Sequence, residues 1–182
     1  SYFKLNPKVN DIPEKYAIEK NGMKLLVMGT INTGGSGCAC SINSFIRQLL
    51  RHLILENEDV VIMDMEAGIE HLGRGTSDHV DCFCIVTEPN ITGLTTARRI
   101  VKLSNDVGIK YHIVIGNKIL NDTDKNFIRT MENAGEPAYI PFSLRILEMS
   151  RNPGKTGKLE PETEEAIKNL VNRLETRIKG NN

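Results

Sequence analysis

Cys38 and Cys40 stand one alanine apart inside "GTINTGGSGCACS", a glycine-rich run that leads toward a helix start. Such a setting lowers a thiol's pKa and favours thiolate, the form that binds metal. One C-x-C supplies two thiolates, whereas a closed zinc-type site takes four. A symmetric dimer supplies the other pair, with the two-fold axis through the metal. The same cysteines also read as a vicinal redox pair or an inert loop. Asp64 ends the apolar run "DVVIMD" and is followed by "MEAG", placing Gly68 four residues on. A carboxylate at a strand end can hold Mg²⁺ through water, while a glycine amide senses a terminal phosphate. Strands also end in Asp without such a role. Asn117, in "VIGNK" beside Lys118, can offer its amide as donor and acceptor to a purine edge, or serve a turn. Pro141 and Phe142 in "IPFS" can close over a base in the same way.

The glycine loop invites comparison with the phosphate-binding pattern G-x-x-x-x-G-K-[ST], but Gly35 and Ser36 stand where Lys and a hydroxyl belong. The glycines therefore read as room for two adjacent sulfurs, a metal loop rather than a phosphate loop. Gly154-Lys155-Thr156 spells G-K-T, yet it follows a short predicted helix and has no strand to project from. Cys82 and Cys84 lie two apart in a predicted buried strand, where thiols behave as small hydrophobes. His71, near the "DMEAG" loop, reads as hydrogen-bonding structure before metal ligand.

The elements that must position these groups alternate. "YAIEK" and "MKLLVMG" form two strands about Asn21-Gly22, a pair that accepts the positive φ of a tight hairpin turn. A helix is expected over 43–56, then strands over 59–66 and 80–89, both continuous apolar runs of the kind buried on both faces. A helix over 94–108, a strand over 111–118, a helix over 122–135, a strand over 137–143 and a last helix over 162–178 complete the order. The alternation argues for an α/β fold with a mostly parallel sheet flanked by helices, in a single domain over 1–182. Ligands in such sheets sit at the carboxyl ends of the strands, here just after Met63, Val86, Ile115 and Ile140.

Composition excludes more than it assigns. Basic and acidic residues number 23 each, so no bulk charge draws the chain to nucleic acid or an anionic membrane. No apolar run approaches the roughly 20 residues that span a bilayer. The opening "SYFKLNPKVND" lacks a secretory signal pattern, and the expectation is a cytoplasmic protein. The stripe Ile167, Leu170, Val171, Leu174 and Ile178 has no aromatic residue to mark a membrane-surface helix and is expected to pack on the domain.

"GGSGCAC", "VVIMDMEAGIEHLGRGT" and "VTEPN…TTARRI" together resemble the CooC family, nickel-insertion ATPases that mature carbon monoxide dehydrogenase. That family is a MinD and nitrogenase iron-protein branch of the P-loop NTPases, and the resemblance runs from about Leu5 to about Arg151. It implies that Asp64 is the Walker B carboxylate for Mg²⁺ and that Glu66 and Gly68 belong to the switch. It implies that Asn117, beside Lys118, reads adenine of ATP or ADP with Pro141 and Phe142 near the base. Cys38 and Cys40 would bind Ni²⁺ or Zn²⁺ between the subunits of a homodimer, with carbon monoxide dehydrogenase as partner. The strand, "KGGxGK[ST]" loop, helix and second strand that open such ATPases are not found here, and the chain reads as a fragment that begins after them. By itself it is expected to be a poor ATPase. The readings of another class are a non-catalytic metal-binding scaffold and a MinD- or ParA-like ATPase.

Overall fold

The computed structural model describes residues 16–27, 60–65, 80–109, 111–131, 135–152, 154 and 157–179. They fall in two compact units, Ser1–Asp64 and Met65–Asn182. The glycine loop with Cys38 and Cys40, the helix expected over 43–56, and Glu66, Gly68 and His71 lie outside the described residues.

In the first unit, Asn21 and Gly22 take φ values of 53° and 77°, as a type I′ turn requires. They join β1 (Ile18–Lys20) to β2 (Met23–Leu25), antiparallel with Ile18 opposite Leu25. Residues 60–64 correct the expectation of a doubly buried strand over 59–66. They carry no strand pairing among the described residues, and Val60 and Ile62 are each 87% exposed. A parallel strand needs neighbours along its edges as well as cover on its faces. An apolar run states that demand without supplying the neighbour.

In the second unit, β3 (Phe83–Thr87), β4 (His112–Ile119) and β5 (Ala138–Pro141) form a parallel sheet in the order β3-β4-β5. Each crossover carries a helix, as parallel pairing demands. Asn90, extended at φ −140°, accepts the Gly93 N–H at 2.7 Å through its side chain and starts α1 (Ile91–Asp106). Leu94, Ala97, Val101 and Ser104 line its buried stripe at helical spacing. Asn121 caps α2 (Asp122–Arg129) by accepting from the Asp124 N–H at 3.1 Å. The sequence predicts this helix through 135. It ends at Arg129 because the Thr130 hydroxyl donates to the Phe127 carbonyl at 2.7 Å while the Thr130 N–H donates to the same oxygen. Ser143 caps α3 (Leu144–Arg151), the short helix expected before Gly154. Pro161, whose fixed φ suits a first helical turn, opens α4 (Pro161–Lys179), which packs on β5.

The core lies between the sheet and helices α1 and α2. Ile85, Val114 and Ile119 from the strands meet Leu94, Ala97, Val101 and Ile128 from the helices, with Met131 beside them. Alternation along β3 turns Phe83, Ile85 and Thr87 toward this core, and leaves Cys84 and Val86 on the other face, both exposed. The doubly buried strand expected over 80–89 is therefore covered on one face only, whereas β4 has Ile113, Val114 and Ile115 all buried.

Candidate nucleotide-site residues at the strand ends

The carboxyl ends of the three parallel strands gather what the second unit holds of the sequence-derived site. Gly116 lies opposite Tyr139 and Ile119 opposite Pro141, so two residues of β4, Asn117 and Lys118, face the single Ile140 of β5. This is a bulge, and Asn117 and Lys118 are the residues it pushes out of register. Lys118 carries it at φ 58°, a left-handed conformation uncommon outside glycine. Two contacts hold it there. The Asn117 side-chain oxygen accepts the Lys118 N–H at 3.0 Å, and the Lys118 ammonium pairs with the Glu88 carboxylate at the end of β3. The Asn amide thus does what its turn-forming reading requires, with its neighbour's backbone as partner. Both members of the ion pair are exposed, so the pair orients Lys118 more than it stabilises the fold.

Gly116 is fitted to the bulge. A Cβ there would stand 3.2 Å from both Ile119 Cδ1 and Tyr139 Cδ1, a tight contact that these side chains would have to yield to by a few tenths of an ångström. The next strand completes the edge. The Phe142 N–H donates to the Ile119 carbonyl at 2.9 Å, which brings Pro141 and Phe142 to the strand end adjacent to Asn117 and Lys118. Phe142 is 42% exposed. The arrangement presents a polar bulge, a cation with its counter-ion, and an apolar lip. Asp64 closes the first unit. Gly154, at φ 100°, comes after α3 and follows no strand, which agrees with the dismissal of G-K-T as a phosphate loop.

Two groups here were not singled out in the sequence. Glu88 could have been found as the charged residue directly after an apolar strand. Glu160 could not, because its partners lie far back in the chain. Its carboxylate accepts the Ser143 hydroxyl at 2.6 Å and the Arg145 N–H at 3.1 Å, seating an anion on the N-terminus of α3. The Ser143 hydroxyl, with backbone N–H groups behind it, holds the Glu160 pKa below its ordinary value. A depressed carboxylate contributes stability that is present above its unfolded pKa and lost as pH falls through the folded one. The melting temperature of Glu160→Gln is therefore expected to lie below that of the parent at pH 7 and to converge with it below pH ~4. A constant gap across that range would assign the effect to something other than this charge.

No family profile matches the chain. It is 44% identical over 174 residues to an uncharacterized ATP-binding protein of Methanocaldococcus jannaschii, covering 93% of this chain and 67% of that one. It is 48% identical over 128 residues to the carbon monoxide dehydrogenase accessory protein CooC of Rhodospirillum rubrum, covering 70% of this chain and 49% of the relative. A second M. jannaschii ATP-binding protein is 31% identical over 139 residues, 76% of this chain and 55% of its own length. The chain thus spans about half to two thirds of the length of these relatives. Identity at this level across most of the chain, with the parallel α/β sheet that the resemblance implied, settles the family: the chain belongs to the CooC-related ATP-binding proteins of the P-loop NTPase class.

Proposed function

We propose that the chain is part of a nickel-insertion accessory protein for carbon monoxide dehydrogenase, with Cys38 and Cys40 binding Ni²⁺ or Zn²⁺ across a homodimer. The observation that carries this reading is the 48% identity to a protein named for that accessory role. In the intact protein ATP binding tightens the dimer and hydrolysis releases it, so metal delivery follows nucleotide state. Asp64 holds Mg²⁺, with Glu66 and Gly68 in the switch. Asn117 reads adenine, Lys118 stands beside it, and Pro141 and Phe142 border the base. The exposed Phe142 next to the Asn117 bulge supports the base assignment, since a planar base takes one apolar face and one polar edge.

Elemental analysis after nickel or zinc loading tests the metal assignment. A four-thiolate site on a two-fold axis gives about half a metal per chain. Cys38→Ser/Cys40→Ser is expected to lose that metal together with the dimer mass in light scattering. Equal uptake by the variant, or none by the parent, removes the loop from the function.

A further inference from the structure

We propose that Glu88 is a positioning residue of the adenine site: through Lys118 it sets the plane of the Asn117 amide that meets the purine. The inference rests on the assignment of Asn117 and Lys118 to the base, and it adds a residue from another strand.

Lys118 is the constraint from which the rest follows. It sits within β4 at φ 58°, a sparsely populated conformation for a residue with a side chain, which persists only where its surroundings impose it. That backbone aims the Lys118 N–H at the Asn117 side chain, whose oxygen accepts it at 3.0 Å. Only the oxygen can fill this role, because the amide NH2 is a donor. The contact therefore fixes which way round the Asn117 amide stands. Its oxygen is turned to the bulge, and its NH2 is the group left to donate to a ring nitrogen of a purine. An amide able to flip would present donor and acceptor alike and discriminate neither.

Glu88 holds Lys118 from outside the bulge. Its carboxylate, at the end of β3, meets the ammonium of a residue 30 positions further along the chain. Glu88 is itself well seated. Its carbonyl accepts the Asn90 N–H at 2.8 Å and the hydroxyl of the buried Thr87 at 3.4 Å, and Gly93 of α1 lies close against it. A tight turn between β3 and α1 thus extends a charged arm to a strained residue in the next strand. Both members of the pair are exposed, and such a pair contributes little to the folded state. A contact that restrains a strained residue while adding little stability serves the geometry of the bulge more than the core.

Adenosine is the probe, because it is uncharged at neutral pH and carries no phosphate to bind elsewhere. The full chain is titrated with it by heteronuclear NMR, following the amides of Gly116, Asn117, Lys118 and Phe142. The expected result is a saturable shift whose affinity is weakened about fivefold in Glu88→Gln, the upper end of what an exposed ion pair is worth. The melting temperature of the variant is expected to match the parent's. Salt supplies a readout that packing would not move: with an uncharged probe, ionic strength acts through the Glu88–Lys118 pair. Parent affinity is expected to fall toward that of the variant as sodium chloride rises to about 1 M, while the variant's stays level. Equal affinity in the two proteins at low salt overturns the role of Glu88 and leaves the adenine assignment standing. Weaker binding in a variant whose melting temperature falls alongside it also overturns the role, as an effect of packing. No saturable shift in the parent removes the adenine assignment and this inference with it. Should Glu88→Gln fail to fold, the parent's salt titration decides alone: affinity that falls supports the positioning role, and affinity indifferent to salt refutes it.

Discussion

Ile128→Ala is expected to lower the unfolding free energy of the second unit by about 2–5 kcal/mol, the range for emptying a fully buried aliphatic site. Ile128 is 0% exposed and belongs to the core cluster of Val114, Ile119 and Met131. It is the one buried residue of α2, which runs only from Asp122 to Arg129. Helices shorter than roughly 12–15 residues are marginal alone, so α2 depends on this anchor to stay docked. The loss should also reach the strand end, since Ile128 Cγ1 lies 3.3 Å from where a Gly116 Cβ would stand. Urea unfolding checks it: the midpoint should fall with the slope unchanged. Ile128→Val, which keeps most of the volume, should cost about 0.5–1.5 kcal/mol. A loss below 1 kcal/mol for the alanine variant would mean that α2 contributes little to the core.

Gly93→Ala is the second large effect, by the opposite mechanism. An added Cβ would stand 2.8 Å from the Glu88 carbonyl oxygen and 2.8 Å from Thr87 Oγ1. The first of these is backbone and cannot rotate aside, so α1 must draw back from the end of β3. Overpacking of this kind typically costs about 1–3 kcal/mol. The distinctive consequence is local. Thr87 and Glu88 shift with the helix, and Glu88 carries the contact that orients Lys118. Amide hydrogen exchange around 116–119 should therefore quicken beyond what a purely global loss of stability predicts. Exchange that rises uniformly over the unit would show that Gly93 serves packing alone. Ala normally outranks Gly inside a helix by about 1 kcal/mol, so the sign of the result is itself diagnostic.

Both predictions rest on relations that the sequence discloses unevenly. The hairpin was legible because everything it needs is local: Asn21 and Gly22 accept left-handed φ, and the flanking residues pair across them. The strand–helix alternation of the second unit was legible for the same reason, each cap lying within three residues of the backbone N–H it serves. The sequence places the start of α1 at 94, whereas the helix begins at Ile91 and includes Gly93, which lies close against the end of β3. The run around Cys82 and Cys84 announced a strand, but not that one of its faces would lack neighbours. Residues 60–64 show the same limit more severely.

Of the candidate site, Asn117, Lys118, Pro141 and Phe142 were found from their positions after apolar runs, and they do occupy adjacent strand ends. That Lys118 would be held by Glu88, 30 residues away, was not readable from spacing. Nor was the seat of Glu160 on α3, which joins residues 17 apart. Such long-range polar pairs depend on tertiary placement, and periodicity is silent about it.

The parallel register has a kinetic side. The Asn21–Gly22 turn closes its two strands locally, an event of about 1–10 μs. Phe83 meets His112 only after the whole of α1 has been traversed, and the β4–β5 pairing waits for α2 in turn. Chains emerge from the ribosome at about 5–20 residues per second, so β3 spends seconds as an unpaired edge before its partner strand exists. During that interval its exposed thiol face and its future core face are equally open to other chains, and a chaperone has more to protect in the nascent protein than in the finished one.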